Sequence, residues 1–253
     1  MTRNPGSGVQ DLSAIKLAML TQQLRSQAKE LDLLRAEPIA IIGLGCRFPG
    51  GANSPEAYWQ LLKDARDAII EVPVDRWDVD ALYDPNPGTP GKMTSRWGGF
   101  LDSIDQFDPG FFGLSPREAS RMDPQQRLVL EVAFEALERA GLTREQLNGS
   151  QTGVYIASTA FDYGQLQLSD RLSISAHTVT GMVHCILSNR LSYLLNLQGP
   201  SLSLDTACSS SLVGIHLACQ SLKDRETNLA IAGGVNIVLS PDIALSLAKW
   251  GML

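Results

Sequence analysis

The strongest constraint on this chain is the rhythm of its second half. Short apolar runs at residues 152–158, 201–205 and 228–235 alternate with stretches of helical periodicity at 180–197 and 209–222. A connection long enough to hold a helix returns the chain beside the previous strand in the same direction. The pattern therefore predicts an α/β fold whose largely parallel sheet is covered by helices on both faces. Residues 38–45 (PIAIIGLG) form one more short, β-rich apolar run, predicted as a strand buried on both faces.

The helix starts are equally legible. Ser54-Pro55, Ser115-Pro116 and Asp123-Pro124 each place a side-chain oxygen at an N-cap and a proline at the first helical position. The last opens a helix with Leu130, Phe134 and Leu137 on one stripe and Gly141 as its stop. Between the first two starts, residues 72–99 are broken by Pro73, Pro85, Pro87 and Pro90 and read as a long irregular excursion.

The N-terminal segment differs. Residues 1–9 are short, polar and Gly/Pro-containing, the composition of a disordered tail. From Asp11 to Ala36 there is no Gly or Pro, and Leu17, Leu20, Leu24, Gln27, Leu31 and Leu34 alternate at spacings of three and four. That is a heptad seam with one polar position, and Glu30 and Arg35 stand where an interhelical pair would cross. An amphipathic helix packed on its own domain has the same pattern over so few heptads. Residues 1–36 carry a net charge of +2, leaving −8 for the rest. Glu37-Pro38 ends the helix.

Composition narrows the function classes. The 253 residues are 44% hydrophobic and 19% charged, as expected of a packed globular protein, and are long enough to need no disulfides. A net charge of −6 disfavours nucleic acid as a partner. No apolar run reaches the length of a membrane span and no signal-peptide core opens the chain, so a cytoplasmic protein without membrane partners is expected. Cys46, Cys185, Cys208 and Cys219 form no CxxC pair and have no histidine at zinc spacing, which predicts free thiols and no metal. Gly43-Leu-Gly45 begins like a dinucleotide-binding turn, but its third glycine is missing and Pro49 follows where a helix would start.

The segment carrying chemistry is SLSLDTACSSSLVGIHLAC, residues 201–219. It places Cys208 where a strand passes into the first turn of an apolar helix. Free backbone N–H groups at such a turn favour a thiolate and can hold an oxyanion. The small neighbours Ala207, Ser209, Ser210 and Ser211 let a substrate approach the sulfur. On these residues alone, Cys208 is either a nucleophile or a small buried thiol. A cysteine hydrolase would need a histidine base beside it, and none of His177, His184 and His216 is a convincing one.

DTACSSSL resembles the active-site motif of β-ketoacyl synthases. EPIAIIGLGCRFPGG, VPVDRWDVDALYDP, RWGGFLDSIDQFDPGFFGLSPREASRMDPQQRLVLEVAFEALERAG, NRLSYLLNLQGPSLSLDTACSSSLVGIHLACQSL and LAIAGGVN extend the likeness to ketosynthase domains of modular type I polyketide synthases. The resemblance runs over residues 37–253. It implies the N-terminal portion of a thiolase-like α/β fold, preceded by a coiled-coil docking helix in residues 1–36. It implies a homodimer that extends acyl chains by decarboxylative Claisen condensation. Cys208 would be the acylated nucleophile, with its backbone N–H in the oxyanion hole. The phosphopantetheine arm of an acyl carrier protein would deliver the substrate, with no cofactor bound by the domain itself. The N-terminal helix would dock the acidic tail of an upstream synthase.

The family's two catalytic histidines and a lysine fall beyond Leu253, so the chain is expected to be the first part of a ketosynthase, truncated before them. Asp123 to Arg127 reads as structural or dimer-interface packing. Arg117, Arg121, Arg127 and Lys92 are candidate carrier-protein contacts, and Cys46, Cys185 and Cys219 are expected core thiols. The contrasting reading is a non-catalytic docking and dimerisation module.

Overall fold

The computed structural model of the chain describes residues 16–29 and 37–253. They belong to two units, 1–40 and 41–253. In the first, residues 16–29 are helical, with Leu17, Leu20 and Leu24 of the seam exposed. The rest of the seam beyond Gln27, the Glu30 and Arg35 pair, and the tail lie outside the described residues.

The second unit is built around a parallel sheet. β1 (Ile70–Glu71) and β2 (Trp97–Gly98) form a small antiparallel pair, whereas β3 (Thr152–Ala157), β4 (Ser201–Leu204) and β5 (Leu229–Gly234) form a parallel sheet in the order β4-β3-β5. β3 is buried along its whole length, with Val154 opposite both Ser201 and Ile231. The helices are α1 (Pro55–Lys63), α2 (Val79–Leu82), α3 (Pro116–Ala119), α4 (Pro124–Arg139), α5 (Arg144–Leu147), α6 (Asp162–Ser169), α7 (Thr178–Met182), α8 (Cys185–Leu195), α9 (Ser210–Lys223) and α10 (Asp242–Lys249).

Sequence explains the layering. Leu130, Ala133 and Leu137 of α4 pack with Leu187, Leu191 and Leu195 of α8 over Val154 and Ile156, which makes one apolar core. On β4, side chains alternate between faces. Ser201 and Ser203 bond Ser192 and Ser188 of α8, while Leu204 turns to the opposite face and meets Gly214 of α9. The small residues Ser210, Gly214, Ala218 and Ser221 form the buried side of α9 and let it lie close to the sheet.

The proline-marked helix starts are capped as the sequence indicates. Ser54, Ser115 and Asp123 accept hydrogen bonds from the backbone N–H groups of Ala57, Glu118 and Gln125. Gly141 ends α4 with φ +69°. The 72–99 excursion is pinned by β1 and β2 at its ends and buries Val72 and Met93.

Two expected elements fail to form for physical reasons. Residues 37–47 carry no regular strand, and Ile41 is 79% exposed. A strand needs a ladder partner, and among the described residues none pairs with this segment. Within the second unit, Gly43 and Gly45 lie instead in close contact with α4, where a Cβ on either would overlap the carbonyl oxygens of Ala136 or Val132. The helix expected over 180–197 is broken into α7 and α8 at Val183, whose ψ of 137° is extended. Gly181 lies so close to the chain before α4 that a Cβ there would overlap the Arg121 carbonyl, and its own carbonyl accepts the Asp123 N–H at 2.8 Å.

Candidate active site

β4 ends at Leu204 and α9 starts at Ser210, so five residues, Asp205 to Ser209, make the turn that carries Cys208. Ala207 has φ +56°, a left-handed conformation that costs energy for any residue with a Cβ. Side chains within and beside the turn hold it. Asp205 Oδ1 accepts from the Ala207 N–H at 2.8 Å and from Thr159 Oγ1 at 2.9 Å. Ser210 Oγ accepts from the Thr206 N–H at 2.7 Å and donates to the Ala207 carbonyl at 2.6 Å. Ser209 Oγ donates to the Thr206 carbonyl.

Cys208 is exposed at the crest of this turn. Its backbone N–H has no hydrogen-bond partner among the described residues, and no side chain caps the N-terminus of α9. The thiol therefore stands beside unpaired donors at the positive end of a fourteen-residue helix. Such a turn can present sulfur to a carbonyl carbon and offer N–H groups to the oxygen that becomes negative.

Behind the turn lies a buried polar layer. Gln125, 1% exposed, donates to Asp123 Oδ2 and to the Ala160 carbonyl, and its Oε1 accepts from Ser158 Oγ and the Ile237 N–H. His184 Nε2 lies 2.9 Å from the same Ala160 carbonyl, so that nitrogen is the protonated donor. The hydrogen bonds from Ala207 and Thr159 hold the Asp205 carboxyl below its ordinary range. Burial pushes the Asp123 carboxyl up against the bonds it receives from Gln125.

The remaining candidates fall elsewhere. Asp123, Gln125 and Gln126 are buried and bonded within the fold, which suits the structural side of that motif's reading. Arg121, Arg127 and Lys92 bond Ser173 Oγ and the carbonyls of Asp105 and Ala81, while Arg117 is exposed. His177 is the N-cap of α7 and His216 is exposed on α9. Cys46 and Cys219 are half-buried, and burial raises the Cys46 thiol. Cys185 is exposed at the first position of α8, against the expectation of a core thiol. A cavity of about 260 Å³ between the excursion and α10 is lined by Trp77, Met93, Phe100, Asp162 and Leu247 but not by Cys208. Among the described residues no cluster could hold a metal.

An exposed thiol on a strand-to-helix turn, beside free backbone donors, has the geometry of an activated nucleophile. Residues 36–253 match the family "Beta-ketoacyl synthase, N-terminal domain", and the chain belongs to it. The chain is 54% identical over 217 residues to one phenolphthiocerol/phthiocerol polyketide synthase polypeptide of Mycobacterium tuberculosis, covering 86% of this chain and 12% of that protein. It is 49% identical over 239 residues to a second polypeptide of the same synthase and organism, covering 93% and 16%. Among solved structures, the oxazolomycin ketosynthase domain of Streptomyces albus superposes with a TM-score of 0.78 at 40% identity, over 84% of this chain and 36% of that one. A cysteine-to-serine variant of the ketosynthase from module 6 of the bacillaene synthase of Bacillus subtilis gives 0.77 at 41%, over 85% and 35%. The fold is thus the N-terminal part of the thiolase-like α/β fold of ketosynthases, and the chain spans a small fraction of the curated relatives it matches.

Proposed function

We propose that this chain carries the acyl-accepting half of a polyketide β-ketoacyl synthase, with Cys208 as the nucleophile. The observation behind the reading is the exposed Cys208 thiol on a left-handed turn whose backbone N–H is free among the described residues. The sulfur of Cys208 bonds to the carbonyl carbon of an acyl thioester borne on the phosphopantetheine arm of an acyl carrier protein. The carbon–sulfur bond to the arm breaks, and the arm leaves as a thiol with the proton that Cys208 gave up. The Cys208 N–H holds the oxyanion between these events. In the elongation step a malonyl-type unit loses carbon dioxide, and the resulting carbanion attacks the acyl carbonyl and expels the Cys208 thiolate. The sequence resemblance assigns that step to two histidines and a lysine in the later part of the family's fold.

Residues 37–253 are the ketosynthase portion in this reading, and 1–36 the docking segment. The exposed leucines of the helix at 16–29 support a coiled-coil contact, and the segment's net charge of +2 suits an acidic upstream tail. A homodimer is supported by the open edge of β4, where Leu202 is 46% exposed beside unpaired strand groups. Free thiols suit the cytoplasm; among the described residues no helix is long and apolar enough to cross a membrane.

The test is incubation with a medium-chain acyl thioester of N-acetylcysteamine followed by intact-mass measurement. One acyl group should add to the protein and none to Cys208→Ala. Removing residues 1–36 should leave the acylation and abolish binding of an acidic docking tail. Tail binding without acylation would support the docking-module reading instead.

A further inference from the structure

We infer that Asp205, braced by Thr159, is a positioning residue that holds the backbone of Ala207 in the left-handed conformation required to present Cys208. The inference rests on the reading of Cys208 as the acyl acceptor and adds to it the group that sets the geometry.

The strain is at Ala207. Its φ of +56° is readily adopted by glycine and resisted by alanine, whose Cβ crowds the backbone. Strain of this kind persists only where the surroundings fix it. Here the fixing group is identifiable. Asp205 Oδ1 takes the Ala207 N–H directly, so the carboxylate pins the strained peptide on its N-terminal side. Ser210 Oγ pins the same residue through its carbonyl.

Asp205 is itself anchored from another strand. Thr159 follows the C-terminal end of β3 and donates its hydroxyl to the same Oδ1, across a sequence separation of 46 residues. The backbone around Thr159 is immobilised in turn, because the flanking Ser158 and Ala160 are both bonded to buried Gln125. A continuous path therefore runs from the core, through Gln125 and the 158–160 backbone, to Thr159, Asp205 and Ala207. Asp205 needs to remain ionised for none of this, since an amide oxygen in its place can accept the same two bonds. Its task is therefore geometric, separate from any effect of its charge on the thiol.

The test measures the rate at which Cys208 takes an acyl group from the N-acetylcysteamine thioester, by mass spectrometry on the full chain, with thermal melting as a check on folding. Asp205→Ala should slow acylation about tenfold, and Asp205→Asn should stay within about threefold of the unchanged protein. Thr159→Val should act in the same direction as Asp205→Ala but less. In an Ala207→Gly background, where the left-handed backbone is intrinsically accessible, Asp205→Ala should lose most of its effect and slow acylation by less than about threefold. An equal loss in both backgrounds, or Asp205→Asn as slow as Asp205→Ala, would overturn the positioning role. An unchanged rate in Asp205→Ala would do the same while leaving Cys208 as the nucleophile. No acylation of the unmodified protein at Cys208 would instead remove the underlying reading, and this inference with it.

Discussion

Gly181 has no room for a methyl group. A Cβ there would fall on the Arg121 carbonyl, which is backbone and cannot rotate away. Gly181→Ala is expected to destabilise the protein by about 3 kcal/mol, read as a lowered urea midpoint with an unchanged slope. At this scale the sequence reveals some residues and hides others. The placement of Cys208 on a strand-to-helix turn is legible because its neighbours in sequence are its neighbours in space: the small residues and the junction lie within a few positions of it. The brace between Thr159 and Asp205 is not legible, since it depends on β3 and β4 lying side by side and no local pattern marks the partner. Gln125 looks like an ordinary polar residue in a helix's first turn, and only its burial shows that it ties Ser158, Ala160 and Ile237 together.

Between elements, two ion pairs of opposite exposure illustrate what charge contributes. Arg190 of α8 is buried and reaches Glu118 of α3 at 2.6 Å, with further bonds to Gln126 and the Thr180 carbonyl. Glu118→Ala would leave a buried guanidinium without its counter-charge, an expected loss of about 3 kcal/mol by chemical denaturation. Glu56 in α1 and Arg139 at the end of α4 form an exposed two-pronged pair. The Arg139 guanidinium holds the Glu56 carboxyl down at about 2. Because the folded value lies below the unfolded one, this contribution is present above the ordinary glutamate range and is lost as pH falls towards about 2. Glu56→Gln should therefore melt slightly below the unchanged protein at neutral pH, and the two should converge as pH approaches about 2. The helix starts are legible because caps are local chemistry. A strand at 38–45 and an unbroken helix over 180–197 are wrong expectations because both depend on partners: a strand requires a neighbouring strand, and a helix yields where a backbone crosses it at Gly181.

For the whole molecule, the parallel sheet follows from the alternation of apolar runs and helices, and the sheet order does not, because strand sequence says nothing about which edge a crossover returns to. β4 ends up at an edge, with Leu202 exposed on it. If that edge joins two copies, Leu202→Lys should shift sedimentation from dimer to monomer while leaving the melting of the single chain nearly unchanged. The proposed function rests on a finer point, which of two exposed thiols would react. Cys185 and Cys208 are both exposed, and of the two only Cys208 combines a helix N-terminus with a left-handed turn and a free backbone N–H. The decisive measurement is a peptide map after treatment with a limiting amount of acyl thioester. The acyl group is expected on the peptide containing Cys208; acylation of Cys185, or spread evenly over the four cysteines, would contradict the assignment.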